Sequence, residues 1–210
     1  DFGARAKNYG ACVRVYKDPR LYSLMKRALG FTDEHKFRET VKDWRILDLA
    51  SGTGLATIPF QEQGAEVFYL DITRQMLEEG IRQEIILPCR AVVGRAEEAD
   101  RHFPENFFDL AVLRFALHDI PEARKLFKAV HRVLKRGGKF QIIDMSLPKH
   151  ADESCELFYN YQHSWKTKGL PRPCYIRPVD VLEDIARSSS FNLSLIHISE
   201  PTRPRLMSYA

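Results

Sequence analysis

The sequence has little of what marks several large classes of protein. Its 210 residues include 4 cysteines with no Cys-x-x-Cys pair among them, so we expect neither a metal site nor a dithiol redox motif. Scattered cysteines of this kind are typical of the cytoplasm. No apolar run approaches the ~20 residues of a membrane span. The net charge of +4 is too small to indicate a nucleic-acid partner.

The start of the chain also lacks familiar features. Asp1 takes the place of an initiator methionine, and no signal-peptide core follows it, so we expect the natural start to be missing. What is present is ordinary for a folded protein, with 44% hydrophobic and 29% charged residues. This length and composition predict one domain with a sizeable core.

Apolar periodicity alternates between helix and strand along the chain. The predicted strands cover residues 45–50, 66–70, 90–93, 109–113 and 139–145. The predicted helices cover residues 19–29, 55–63, 73–83, 121–135 and 179–187. This alternation predicts an α/β fold with a doubly wound, mostly parallel sheet and helices on both faces.

A glycine-containing loop follows the first predicted strand at residues 48–54. Such a loop lets the backbone approach a ligand, and Asp71, about twenty residues further on, can accept the hydroxyls of a ribose. Thr57 stands where a dinucleotide fingerprint has its third glycine, and the acidic Asp48 suits a positively charged ligand better than a pyrophosphate. The alternative is a tight turn that binds nothing.

Four segments together resemble the motifs of the class I S-adenosylmethionine-dependent methyltransferases. They are residues 46–54, 68–71, 107–112 and 130–140, in the order of that family. The resemblance implies S-adenosylmethionine as the cofactor, with its methionine part on the 48–54 loop and its ribose on Asp71. The cofactor-binding residues that it implies are Tyr9, Asp48, Ala50, Ser51, Gly52, Thr53, Gly54, Asp71, Ile72, Met76, Arg95, Ala96, Arg114 and Phe115.

Arg95 departs from the pattern of this family. Many relatives carry an acidic residue there, which accepts a hydrogen bond from the adenine amine. Arginine can only donate, so that contact must be lost or replaced, unless Arg95 is simply a solvated surface residue. The acidic residues that follow it, Glu97, Glu98 and Asp100, are interpreted as a solvated face.

The substrate side is less defined by the sequence. Methyl transfer is an in-line displacement that needs a base only when the accepting atom carries a proton. His118 is our candidate for that base, although a cap or packing role is the interpretation that we favour. Tyr159 and Trp165 lie in an aromatic segment within residues 146–178, which we expect to cover the substrate; the alternative is the buried face of a helix.

Residues 132–146 resemble the branch of the family that methylates quinone precursors and other small molecules, with Arg136 for proline and Asp144 for glutamate. The other characteristic segment of that branch is not matched around residues 9–22, so the quinone substrate is not assigned. We expect a small-molecule acceptor. The competing interpretations are a nucleic-acid methyltransferase, a nicotinamide dehydrogenase and a cofactor-binding protein without turnover.

The domain should extend over residues 1–195, with residues 1–40 as an N-terminal helical cap. Residues 196–210 are similar to translated sequencing-adaptor read-through, and we expect a non-native or disordered tail there. Pro201 and Pro204 and the absence of a strand pattern predict that the last strand of the sheet is missing.

Overall fold

The computed structural model describes residues 19–144, 146–147, 174–194 and 205–209. The helices are α1 (Pro19–Ala28), α2 (Glu34–Val41), α3 (Ile58–Gln61), α4 (Arg74–Arg82), α5 (Ala99–His102), α6 (Ala123–Val133) and α7 (Val179–Ser188). The strands are β1 (Arg45–Leu49), β2 (Glu66–Asp71), β3 (Ala91–Val93), β4 (Phe108–Arg114), β5 (Leu134–Asp144), β6 (Leu193–Ser194) and β7 (Arg205–Tyr209). Short 3-10 turns cover Pro88–Arg90, Ala96–Glu98 and Leu117–Asp119.

These strands form one sheet in the order β3-β2-β1-β4-β5-β7-β6. Strands β1 to β5 are parallel, whereas β7 runs antiparallel to β5 and β6. The chain moves outward from β1 to β3 and then returns to the other side of β1 with β4. This reversal creates a crevice at the carboxyl ends of β1 and β4, where open α/β sheets bind their ligands.

Helices cover both faces of the sheet, and alternate residues of the central strands point to opposite layers. In β1, Ile46 joins a cluster with Phe37 of α2, while Leu47 joins a separate cluster with Phe127 of α6. In β4, Leu110 and Ala111 divide in the same way between the two clusters. A strand buried on both faces is what a doubly wound fold requires, so the predicted fold class is confirmed.

The prediction of a missing last strand is wrong. Residues Arg205–Tyr209 form β7, and their backbone pairs with β5 over the register Asp144↔Arg205 to Phe140↔Tyr209. Pro201 and Pro204 both precede Arg205 in the sequence, and β7 itself contains no proline that would interrupt its hydrogen bonds. Within the predicted tail, at least residues 205–209 are therefore ordered as part of the sheet.

Smaller differences concern the ends of elements. Helix α6 ends at Val133, two residues before the predicted end at 135, because Leu134 already pairs with Phe108 as the first residue of β5. The structure adds α2, whose N-cap residue Asp33 accepts a hydrogen bond from the Lys36 N–H at 2.6 Å. None of the helices in the described residues is long and apolar enough to cross a membrane.

Candidate functional site

The loop after β1 turns sharply and is attached to the end of β2. Ala50, Gly52 and Gly54 all have positive φ, at 49°, 57° and 82°. A Cβ on Gly54 would come within 3.0 Å of the Tyr69 ring, so that turn requires glycine. The Gly52 N–H donates to Oδ2 of Asp71 at 2.7 Å, which joins the loop to the second strand.

Asp71 lies at the crevice end of β2. It is 8% exposed, and its Oδ1 accepts the N–H of Thr73 at 2.7 Å. Burial raises the pKa of Asp71 above its ordinary value, although the hydrogen bonds from the backbone of Thr73 and Gly52 oppose that shift. Each carboxylate oxygen has a second lone pair, so Asp71 can still accept hydrogen bonds from a ligand's hydroxyls.

Asp48, near the end of β1, is the most deeply buried carboxylate beside the loop. It is 1% exposed and accepts a hydrogen bond from the Thr57 hydroxyl at 2.8 Å. Burial raises the pKa of Asp48 to about 7, with the Thr57 hydrogen bond and the charge of Arg114 acting against it. A positively charged group placed beside Asp48 would favour its ionised form.

Two cavities meet at this loop. The larger has a volume of about 200 Å³ and the narrower one about 20 Å³, and both are bordered by Ala50, Gly52 and Arg114. The larger cavity brings together six further residues of the expected cofactor-binding set, namely Asp71, Ile72, Met76, Arg95, Ala96 and Phe115. The narrower cavity brings together the expected methionine-binding residues Asp48, Ser51 and Thr53.

Some expected residues fall outside these walls. Gly54 does not line either cavity and instead packs against Tyr69 and Ile86. Tyr9, Tyr159 and Trp165 lie outside the described residues, so their roles stay predictions. In the other direction, the larger cavity has six lining residues outside the expected cofactor-binding set, which are Thr73, Gly94, Glu97, Ala116, Asp119 and Ile120.

Glu97 corrects the interpretation of its acidic segment as a solvated face. Its side chain is 4% exposed and forms an ion pair with Arg95, whose side chain is 44% exposed. Both residues line the larger cavity. The sequence offered one indication of this role, because Glu97 lies two residues after Arg95, which departs from the family pattern. Burial of a single glutamate in a 3-10 turn, however, leaves no periodic pattern in a sequence.

His118 lies beside the larger cavity rather than in its wall. The side chain is buried, and Nδ1 is 2.6 Å from Oδ1 of Asp144 at the end of β5. Its Nε2 is 3.8 Å from a carboxylate oxygen of Asp119, which does line the cavity. Burial alone would lower the pKa of His118, but the hydrogen bond and charge of Asp144, with the charge of Asp119, raise it above its ordinary value.

Comparison with known proteins agrees with this geometry. Residues 47–142 match the family model described as a methyltransferase domain. Two curated relatives are both named ubiquinone/menaquinone biosynthesis C-methyltransferase UbiE. The one from Pectobacterium carotovorum is 34% identical over 113 residues, covering 51% of this chain and 45% of the relative. The one from Yersinia pestis is 36% identical over 113 residues, covering 50% and 43%. The chain thus spans less than half the length of these relatives.

Residues 47–142, just under half of the chain, are thus similar to a methyltransferase domain. Solved structures agree with its fold. The YcgJ protein from Bacillus subtilis has a TM-score of 0.65 at 23% identity, covering 81% of this chain and 70% of that one. An S-adenosylmethionine-dependent methyltransferase from Mesorhizobium loti has a TM-score of 0.63 at 24% identity, covering 80% and 91%.

S-adenosylmethionine is the cofactor of the class I methyltransferases that this chain resembles, and the residues around the two cavities fit it. The cofactor is positively charged at sulfur, and the narrower cavity holds the buried acid Asp48. Within the described residues, the buried hydroxyls of Ser51 and Thr53 have no hydrogen-bond partner, so they remain available to a polar ligand. Asp71 supplies a carboxylate for the ribose, and the apolar side chains of Ile72 and Met76 border the same cavity.

Proposed function

We propose that this methyltransferase domain transfers the methyl group of S-adenosylmethionine to a small-molecule acceptor by in-line displacement, in the cytoplasm. The observation that carries the proposal is the junction of the two cavities at the glycine loop. That junction places the buried acid Asp48 on one side of the loop and the ribose-type acceptor Asp71 on the other.

The residues of the chain would act mainly by binding and orientation. When bound, S-adenosylmethionine supplies a methyl group already activated by the positive charge on its sulfur. Asp48 would balance the positive charge of the ligand, and Asp71 would fix the ribose hydroxyls. Arg114, the last residue of β4, and Phe115, the next residue, line the larger cavity and would face the cofactor and the acceptor. Holding two reactants in line and excluding water is the chief catalytic contribution that this reaction needs.

A base is needed only for an acceptor that carries a proton on the atom to be methylated. We infer that His118 serves as this base, because Asp144 holds its ring through a 2.6 Å contact and Asp119 connects it to the cavity. The proton released from the acceptor would move to the imidazole, while Asp144 stabilises the resulting charge. Tyr159 and Trp165 are proposed to bind the acceptor from residues 146–178.

The relatives named as ubiquinone/menaquinone biosynthesis C-methyltransferases suggest which acceptors to test first. Carbon methylation of a hydroxylated aromatic ring would use both a base and an aromatic pocket. Quinol precursors and related phenols therefore lead the choice of acceptors, and RNA and DNA serve as the contrasting class.

Calorimetry with the purified chain tests the cofactor assignment. S-adenosylmethionine and its demethylated product S-adenosylhomocysteine should both bind, and NAD should not. Binding of NAD alone would overturn the proposal. A screen with methyl-labelled cofactor should then transfer label to a small molecule. Label found only in nucleic acid, with steeply salt-dependent binding, would replace the small-molecule acceptor by a nucleic acid.

A further inference from the structure

The wall of the larger cavity contains a buried glutamate that the proposed function does not yet use. The Glu97 side chain is 4% exposed and borders the cavity together with Arg95 and Ala96. Burying a carboxylate is costly unless hydrogen-bond donors surround it. Nη2 of Arg95 donates to Oε1 of Glu97, which supplies one such donor.

The ion pair also determines which of the two side chains can receive a ligand's hydrogen bond. The arginine side chain is 44% exposed and has donors only. The carboxylate of Glu97 has acceptors only, and one hydrogen bond from Arg95 does not use up its four lone-pair sites. A donor group on a ligand would therefore be recognised by Glu97 and repelled by Arg95.

The other two carboxylates that line the cavity, Asp71 and Asp119, already have partners or proposed roles. Asp71 accepts the N–H groups of Gly52 and Thr73 and is the acceptor proposed for the ribose. Asp119 lies 3.8 Å from His118 on the proposed acceptor side. Glu97 is thus the carboxylate left for the base of the nucleoside, whose apolar faces suit the neighbouring Ile72 and Met76.

We propose that Glu97 accepts a hydrogen bond from the 6-amino group of the adenine, with Arg95 as the positioning residue that holds its carboxylate. This inference rests on the proposed cofactor. It would explain how a chain with arginine at position 95 still recognises an amine. The acceptor is moved two residues along the chain, from the residue that precedes the turn Ala96–Glu98 into the turn itself.

The test removes the amine from the ligand and the carboxylate from the protein. Calorimetry compares S-adenosylhomocysteine with its 6-deamino analogue, in which hydrogen replaces the amino group. The wild-type chain should bind the amino form at least about tenfold more tightly, since the hydrogen bond involves a charged acceptor. Glu97→Leu should bind the two ligands with affinities within about threefold of each other. Glu97→Gln, which keeps one acceptor oxygen, should fall between them.

Glu98→Leu is the matched control, because Glu98 is the next residue in the same turn but pairs outward with Arg101 and Lys125. It should keep the wild-type preference for the amino form. Equal binding of both ligands by the wild type would overturn the role of Glu97 and leave the cofactor assignment intact. Binding of neither ligand would overturn the cofactor assignment and this inference together. A preference for the amino form that survives Glu97→Leu would also overturn the role of Glu97.

Discussion

At the scale of single residues, the protonation state of Asp48 affects both the stability of the fold and the binding of a charged ligand. Its pKa is about 7 in the folded chain, against an ordinary value of 3.8, because burial disfavours the ionised form. Between these two values the unfolded chain has released the proton and the folded chain keeps it. The free energy of unfolding should therefore fall as the pH rises from about 4 to about 7.

Asp48→Asn should flatten this dependence. Over this pH range the free energy of unfolding of the wild type should fall by about 4 kcal/mol more than that of the variant. This figure comes from a pKa difference of about 3 units at ~1.4 kcal/mol per unit. Urea unfolding of wild type and variant between pH 4.5 and 7.5 measures it. Identical pH profiles for the two proteins would contradict the raised pKa of Asp48. Cofactor binding near pH 6.5 should also release a proton from the wild type and none from the variant.

A substitution at His118 distinguishes its proposed role as a base from a role in packing alone. Asn in its place keeps an N–H donor toward Asp144 but has no basic nitrogen, so His118→Asn should leave cofactor affinity within about threefold. Turnover of a phenolic or carbon acceptor should fall about 100-fold or more, as expected for loss of a general base. The kinetic comparison uses initial rates at saturating cofactor. Unchanged turnover would establish the packing role instead.

The pH profile of the His118 variant gives an independent check. The folded-state pKa of His118 is raised, so the stability that its pairing with Asp144 supplies is fully present below pH 6.5 and is lost as the pH rises through the folded-state pKa. The variant should lack that loss. The His118 window begins at pH 6.5 and overlaps the upper end of the Asp48 window near pH 7, so each variant is compared separately with the wild type to assign the two contributions.

At the scale of elements, helix α4 supports the cofactor loop through a glycine. A Cβ on Gly80 would lie 2.7 Å from the carbonyl oxygen of Thr53 and 2.6 Å from Cδ1 of Ile86. Helix propensity alone favours alanine over glycine by about 1 kcal/mol. The structure predicts the opposite outcome, because the Thr53 carbonyl is backbone and cannot move away without moving the loop.

Gly80→Ala should therefore destabilise the fold by about 1–3 kcal/mol and weaken binding of S-adenosylhomocysteine. Glu78→Ala, an exposed position on the same helix, is the matched control and should change both by little. Urea unfolding and calorimetry give the two quantities. A stabilised Gly80→Ala variant with intact binding would show that α4 does not hold the loop.

The elements also show what a sequence can and cannot predict. Strands β1, β2 and β4 were predictable because each is a continuous apolar run ending in a motif residue. Helix α2 was missed because only Phe37 and Val41 of its eight residues are buried, which is too few to give a periodic stripe. Glu97 was misread because its burial depends on the packing of its turn against α6, a contact between residues distant in sequence.

At the scale of the whole molecule, β7 completes the sheet beyond β5. It pairs with five consecutive residues of β5, so removing it would leave that strand with an open edge. A chain ending at residue 194 should melt at a lower temperature and aggregate as its concentration increases. Thermal unfolding and light scattering over a range of concentrations measure both effects. A truncated chain that stays monomeric at the wild-type melting temperature would show that this pairing contributes nothing.

The strand order also limits when each strand can join the sheet during translation. Among the described strands, β7 is the last in the chain, yet it lies between β5 and β6 rather than at the rim. A ribosome must release residues 205–209 before β6 can join the sheet, because β6 pairs only with β7 within the described residues. The parallel part can form earlier in translation, whereas β6 and β7 can join the sheet only when residues 205–209 are available. Nascent chains would thus expose the β5 edge to chaperones until the last strand arrives.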